Sequence, residues 1–426
     1  MSFIEHLKSY LNDEQIALLM DSLKGESKHG ALLNTQKMSD EKFLSLFPDV
    51  IPHPIVPHAY LYDKNQYDLG KSIYHILGCF YLQEPSAMIP SFLLNPKSRE
   101  VVLDLCAAPG GKSVQASFLM ENQGVIVSND IARNRCQAIL ENVERLGIAN
   151  IFITNNDFSK IDHYYRDYFD RIILDAPCSG SGMFRKEDKM MLDWSYNKVI
   201  KYQEIQKELI LMAYSMLKPG GTMVYSTCSF SKEEDEDVVV HLLKESDATL
   251  IDIPKNPLFY KGVDNLGIHL FPSLFPGEGH YICLIKKPGE IRPTKDEPCA
   301  YTYNKNQLIN SACTYVCKYG NTLFGFDKNI KTKGLSIIRQ GVKIGEIGDD
   351  FIRFDYHFAH FLKTFTPTFS LNFTELTKYF TGETLPIQIN KGLVLLQYEG
   401  INVDITKSDA KMIKNHLPKY IRANIK

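Results

Sequence analysis

Short, nearly continuous apolar runs punctuate the first two thirds of the chain, separated by longer amphipathic stretches. Val101-Val-Leu-Asp-Leu105, Gly124-Val-Ile-Val-Ser128, Ile151-Phe-Ile-Thr154, Arg171-Ile-Ile-Leu174 and Gly221-Thr-Met-Val-Tyr-Ser226 read as strands covered on both faces of a parallel sheet. Helix patterns lie between them: one ending at Met120, one from Ala132 to Leu146, and one from Val199 to Leu217 that Lys218-Pro-Gly-Gly221 stops. Runs near Thr249-Leu-Ile-Asp-Ile253 and His280-Tyr-Ile-Cys-Leu-Ile285 finish the series. Such alternation predicts an α/β fold with a doubly wound, mostly parallel, Rossmann-like sheet.

The flanks differ in texture. Ile4, Leu7, Leu11, Ile16, Leu19 and Leu23 recur at helical spacing, so residues 1–69 predict a small, mostly helical cap. Ile51-Pro-His-Pro-Ile-Val-Pro-His58 is a connector, because each proline holds its predecessor extended, and its two histidines are loop residues rather than metal ligands. The core spans 70–287. Pro288-Gly289 and Ile291 to Pro298 form a linker into a first C-terminal subdomain reaching 362, rich in aromatics. Residues 363–426 predict a β-rich module containing Leu385-Pro-Ile-Gln-Ile389 and Gly392 to Tyr398.

Composition narrows the class. The chain has 426 residues, 44% hydrophobic, with formal net charge -2, so any nucleic-acid surface must be a local patch. One candidate is the end of the chain: from Ile405 onward six Lys or Arg face one Asp, a local +5, interleaved with Asn415, His416 and Tyr420. Nine scattered cysteines predict reduced thiols in a cytosol. Cys313 and Cys317 lack a second pair at zinc-site spacing, so no metal is expected. The N-terminus lacks a signal-peptide pattern and no apolar run is long enough to span a membrane, so a cytoplasmic monomer is expected.

The candidate chemistry sits where the strands end. Cys106, Ala107, Ala108, Pro109, Gly110, Gly111 and Lys112 join the first core strand to its helix, and small residues there let a ligand approach backbone amides. The spacing is neither a Walker loop nor the full dinucleotide pattern, which argues against nucleoside triphosphates and nicotinamide cofactors. Asp130, about twenty positions beyond that turn, is placed for ribose hydroxyls or is a solvated loop residue. Asp157 and Asp175 end the third and fourth strands. Pro177-Cys178 and Thr227-Cys228 end what should be neighbouring strands. Taken alone, Cys228 reads as a buried thiol or as a nucleophile beside a helix N-terminus, with Ser231 and Glu234 as that helix's capping box.

Two thiols beside a nucleoside-type ligand suit one reaction. A thiolate adding to C6 of cytosine makes C5 an enamine carbon able to take a methyl group from a sulfonium donor. A carboxylic acid at Asp175 would support the density at N3, and the base must leave any stack to reach the site. Asp104-Leu-Cys-Ala-Ala-Pro-Gly-Gly-Lys112, Asp175-Ala-Pro-Cys-Ser-Gly-Ser-Gly182 and Ser226-Thr-Cys-Ser229 resemble the Sun/nucleolar-protein family of RNA cytosine-C5 methyltransferases. Gln83 to Met88, Glu141 to Gly147 and Gly277-Glu-Gly-His-Tyr281 fit the same pattern, and Ile413 to Arg422 resembles the RNA-binding end of its bacterial RsmF-like branch, which acts on small-subunit ribosomal RNA.

The resemblance implies that Cys228 is the nucleophile and Cys178 the release thiol. It implies S-adenosylmethionine held by Cys106 through Lys112, with Asp130 at the ribose, Asp157 near the adenine and Asp175 near the methyl and base. It further implies a PUA-like RNA-binding module at 363–426 and 16S rRNA as partner. After Leu270-Phe-Pro272 the chain departs from that branch, with Ser273-Leu274-Phe275 where a histidine is usual. Glu141-Asn-Val143 precedes Pro177-Cys178, the reverse of the order in DNA cytosine methyltransferases.

Overall fold

A computed structural model describes residues 2–185, 191–298, 313–348, 352–419 and 421–422 of the chain. Its centre is a ten-stranded sheet in which Leu217–Thr227, Phe169–Asp175, Val101–Asp104, Val125–Asn129 and Ile151–Thr154 lie side by side in that order and run parallel. Every residue of the last three strands is buried, so their sequences lack polar alternation. The chain winds outward from Val101–Asp104 to Ile151–Thr154, then returns to set Phe169–Asp175 on the other side of Val101–Asp104. That reversal opens a crevice at the strand C-termini, where ligands of such sheets bind. The doubly wound α/β expectation holds.

Both edges are antiparallel. Tyr281–Lys286 pairs with Leu217–Thr227, and Thr249–Ile251 and Ile268–His269 pair with Tyr281–Lys286. At the far edge Ile337–Gln340 pairs with Ile151–Thr154, so the segment beyond residue 287 contributes a strand to the core sheet. The helix Tyr196–Met216 stops, as expected, just before Lys218-Pro-Gly-Gly221. That stretch lies inside Leu217–Thr227, where Gly220 takes φ +80° and buried Lys218 reaches Asp170 at 2.5 Å.

The N-terminal region opens with helices Phe3–Leu7 and Asp13–Ser22, each closed by a capping box (Ser2 with Glu5, Asn12 with Gln15). It is not mostly helical, however. Ile51–Pro52, Ala59–Tyr62, His29–Leu33 and Phe80–Gln83 form an antiparallel sheet of strands too short for alternation to be read. His53 braces its loop, its Nδ1 accepting from the amides of Ile55 and Val56.

The C-terminal region holds a four-stranded antiparallel sheet, from Tyr315–Tyr319 to Ile352–Phe354, and a three-stranded sheet of Thr368–Ser370, Gly392–Tyr398 and Ile401–Ser408. Leu385 to Ile389 makes only a bridge to Ile413 rather than the expected strand. Among the described residues seven cysteines are free thiols, whereas Cys317 is disulfide-bonded, against the expectation that all are reduced. Among the same residues no helix is long and apolar enough to cross a membrane.

All three regions meet at the turn after Arg133–Leu146. Buried Lys37 donates to the carbonyls of Leu77 and Arg145 and contacts His360 Nδ1, and burial pushes its pKa down to about 7. Gly147 takes φ +72°, and a Cβ there would collide with the His360 carbonyl. Arg339 pairs with Glu144 out of solvent.

Under the C-terminal sheet, Asp404 accepts a 2.7 Å hydrogen bond from Tyr379, and burial pushes its carboxyl pKa up to about 7. The folded state then holds this proton more tightly than the unfolded chain, so its contribution to stability falls as pH rises from 3.8 to about 7 and is flat above. Asp404→Asn is expected to lose less melting temperature than wild type between about pH 5 and about pH 8. Parallel pH slopes in calorimetry would refute the assignment.

Candidate active site

Strand register brings the two cysteines together. Asp175 pairs with Ser226, and both chains turn off the sheet at equivalent points, leaving Cys178 and Cys228 with sulfurs 2.9 Å apart. That is closer than non-bonded contact and longer than a disulfide of about 2.05 Å. The two loops are zipped further on: the Gly182 amide donates to the Cys228 carbonyl at 2.7 Å, and the Phe230 amide donates to Ser181 Oγ at 2.7 Å. Position 182 must be glycine, since a Cβ would sit 2.8 Å from the carbonyl oxygens of both Cys228 and Gly279.

Glu234 ties the loops from beneath. Its fully buried carboxylate accepts from the Ser179 amide (2.8 Å), the Ser179 hydroxyl, the Ser229 hydroxyl (2.7 Å) and Gln206 (3.1 Å). The capping box expected of Ser231 and Glu234 is therefore not formed. The helix begins later, at Glu236, with Asp235 as its N-cap. Asp235 instead accepts from Thr227 Oγ1 at 2.5 Å, and Thr227 Oγ1 accepts from the Ser229 amide. Behind them buried His269 bonds Glu236 at 2.8 Å, a trio with Asp235 whose ligand-capable atoms lie within 4.8 Å of one another. The N-terminal helices brace the outside, with Tyr10 donating to the Phe230 carbonyl and His6 paired with Glu233 at 3.2 Å.

The cleft in front of Cys228 has a volume of about 320 Å3, and Cys178 is not part of its lining. The glycine turn forms one wall, Tyr81 to Glu84 another, and Asp175, Met183, Cys228 and Glu278 to His280 the rest. Gly110 takes φ +107°, and a Cβ on Gly111 would press on Gln83 and Tyr81 at 3.1–3.2 Å, so the turn is a cradle kept clear of side chains. Lys112, in the first turn of Gly111–Leu119, reaches Asp175 at 2.7 Å while Ser226 donates to the other oxygen at 2.7 Å. Burial pushes the Asp175 carboxyl up, but Lys112 and His280 outweigh it and hold it well below the usual range. Asp175 is thus a carboxylate, not the carboxylic acid expected.

The acids also sort the thiols. Burial, followed by the charges of Asp104, Asp175 and Asp130, pushes Cys106 far up and keeps it a neutral thiol. Cys178 is likewise held protonated, first by its hydrogen bond to Cys228, then by burial, Glu234 and Asp175. The two sulfurs share one hydrogen bond, in which either can be the donor.

The structure does not bring every candidate to the cleft. Asp130 stands behind the turn, accepting from the Ala108 amide (3.2 Å) and the Ala132 amide (2.9 Å), and Asp157 is exposed and caps Phe158–Tyr164 through Ser159. Phe275, in the segment that departs from the pattern, is buried against His53 and away from the cleft. At the C-terminus Asn415 is occupied by the carbonyls of Tyr379 and Glu383, and Tyr420 lies outside the described residues. His416, Lys414, Lys407 and Arg353 rim an apolar cavity of about 300 Å3. Glu84, Ser86 and His280 had no role legible in sequence beyond the motif blocks containing them.

A family profile described as 16S rRNA methyltransferase RsmB/F matches residues 91–286, one for the N-terminal domain of 16S rRNA methyltransferase RsmF matches 1–85, and one for the methyltransferase RsmF PUA domain matches 366–423. Ribosomal RNA small subunit methyltransferase F of Vibrio parahaemolyticus is 30% identical over 431 residues, which cover 91% of this chain and 90% of that one. A methyltransferase homolog protein from Pyrococcus horikoshii superposes with TM-score 0.58 at 28% identity over 64% of this chain and 91% of that one. NSun6 from the same organism, solved with SFG, gives TM-score 0.62 at 21% identity over 68% and 98%.

Removing the carboxylate under the loops strands the buried Ser179 amide and two hydroxyls. Glu234→Ala is expected to lower the unfolding free energy by about 2–4 kcal/mol, and Glu234→Gln by about 1–2 kcal/mol. Urea denaturation reads this, and an alanine variant within about 0.5 kcal/mol of wild type would show that the carboxylate is not the tie.

Proposed function

The chain belongs to the RsmF family of 16S rRNA methyltransferases, and from that premise we propose that it methylates C5 of cytosine in 16S rRNA through an adduct between Cys228 and C6. The observation carrying the reading is the contact of the Cys178 and Cys228 sulfurs across 2.9 Å, with Cys228 lining the cleft beside the glycine turn.

S-adenosylmethionine is the methyl donor, and it supplies the methyl as an electrophilic sulfonium. The residues present fit it: glycines at 110 and 111 keep the turn after the first core strand free of side chains, the amides of Ala107, Ala108 and Gly110 are tied back to the protein and hold the turn in shape, and Asp130 and Asp157 stand at the ends of the next two strands. We assign the ribose to the Asp130 edge and the adenine to the neighbourhood of Asp157, reached through backbone because both carboxylates serve their own loops.

The Cys228 thiolate adds to C6, and the displaced ring electrons make C5 the nucleophile that takes the methyl. Lys112 beside Asp175 sets a positive potential against the density that develops on the ring, the part first expected of a protonated Asp175. A water molecule takes the C5 proton, the C–H electrons restore the C5=C6 bond, and the C6–S bond breaks with its electron pair returning to Cys228 as thiolate. Cys178 receives the departing thiolate back into its hydrogen bond, which is its part in release. The C-terminal region, 363–426, is the RNA-binding module, with the basic rim of Lys407, Lys414 and His416, joined by Arg353 of the preceding subdomain, turned to phosphates. The protein works in the cytoplasm as a monomer.

Cys228→Ala is expected to lower tritiated methyl transfer to unmodified 16S rRNA by at least about 10³-fold while RNA binding persists. Cys178→Ala should accumulate RNA covalently bound to protein, visible as a denaturation-resistant band. RNA trapped by Cys228→Ala instead, or equal transfer to a DNA of the same sequence, would defeat the proposal.

A further inference from the structure

The cysteine pair has a chemistry of its own that needs no RNA. Cys178 and Cys228 stand with sulfurs 2.9 Å apart, less than about 1 Å beyond the length of a disulfide bond. Among the described free thiols no other two are in hydrogen-bonding contact. Ties on both loops keep the sulfurs from drifting apart: Glu234 accepts from Ser179 and from Ser229, and the Gly182 amide donates to the Cys228 carbonyl. The two sulfurs differ in access. Cys228 lines the cleft, so a small polar oxidant that enters meets it, whereas Cys178 is not part of that lining. Cys106 also lines the cleft, but burial holds it as a neutral thiol and no second thiol among the described residues touches it.

What an oxidised cysteine becomes depends on what stands beside it. We propose that Cys228 and Cys178 form a peroxide-sensitive dithiol, which closes into a disulfide and stops methyl transfer until a thiol reductant reopens it. Cys228, as thiolate, takes one oxygen of hydrogen peroxide; the O–O bond breaks, the other oxygen leaves as hydroxide, and a sulfenic acid remains. The Cys178 sulfur then attacks the sulfenic sulfur. The S–S bond forms as the S–O bond breaks, and the departing hydroxide takes the Cys178 proton to become water. Two electrons thus pass from the sulfur pair to the peroxide, whose oxygens end as hydroxide and water. The arrangement sets the product: a sulfenic acid with a thiol already in contact condenses before a second peroxide arrives, and is spared the irreversible sulfinic acid. That transfer stops rests on the cysteine roles proposed above, since neither sulfur is then free to reach C6; the disulfide itself does not.

The test treats the full-length protein with hydrogen peroxide, blocks the remaining thiols with N-ethylmaleimide and maps its peptides by mass spectrometry without reduction. Wild type is expected to yield Cys178 joined to Cys228, with methyl transfer to 16S rRNA lost in proportion to the fraction joined and restored by dithiothreitol. Cys178→Ser, which removes the thiol beside Cys228, should instead accumulate sulfinic acid at Cys228 that dithiothreitol does not reverse. Cys228 recovered from peroxide-treated wild type as the maleimide adduct, as sulfinic acid, or joined to Cys106 overturns the proposal. Joined protein that still methylates would defeat the cysteine roles and the stop that rests on them, and would leave the disulfide standing. Protein that methylates through Cys228 and does not join the pair defeats this proposal alone.

Discussion

Glu234 ties together two loops that the strand ladder no longer joins once they leave the sheet. Once Phe169–Asp175 and Leu217–Thr227 end, ladder hydrogen bonds no longer fix the distance between Cys178 and Cys228. A carboxylate accepting from Ser179 on one loop and Ser229 on the other restores that constraint one residue past each sulfur. Its burial makes the constraint strong, because hydrogen bonds to a desolvated charge weaken little with salt and an unpaired donor there is costly. The catalytic distance is thus set from behind the site, by a group that faces neither cleft nor solvent.

The same carboxylate also shapes reactivity. The hydrogen bond to Cys228 and burial raise the Cys178 thiol, with Glu234 and Asp175 adding to them, and burial raises Cys106, with Asp104, Asp175 and Asp130 adding to it. Asp104 is itself pushed up to about 7 by burial, which limits the negative charge the crevice carries. Lys112 is the counterweight, neutralising Asp175 at 2.7 Å at the place where ring density develops. Of the paired sulfurs, Cys228 is the one that lines the cleft.

Around this centre the flanking regions act as buttresses. Tyr10 and His6 press on the loop after Cys228, and Lys37, Gly147 and His360 lock the N-terminal and C-terminal regions to the turn after Arg133–Leu146. Ile337–Gln340 makes the attachment covalent in topology, since the core sheet is incomplete at that edge without it.

The sequence by itself determined the parallel core, because strands covered on both faces must be apolar throughout, and Ile151–Thr154 fell where its run placed it. It also determined the glycine turn and the two strand-end cysteines, whose chemistry follows from residue type and spacing. Only the tertiary structure decided that those cysteines meet, since 50 residues separate them and register alone joins them. It decided that Glu234 serves Ser179 rather than its own helix, that Asp175 is charged, and that His280 lines the cleft beside it. Each of these depends on a partner distant in the chain, and local pattern carries no information about which distant group will desolvate, neutralise or orient a side chain.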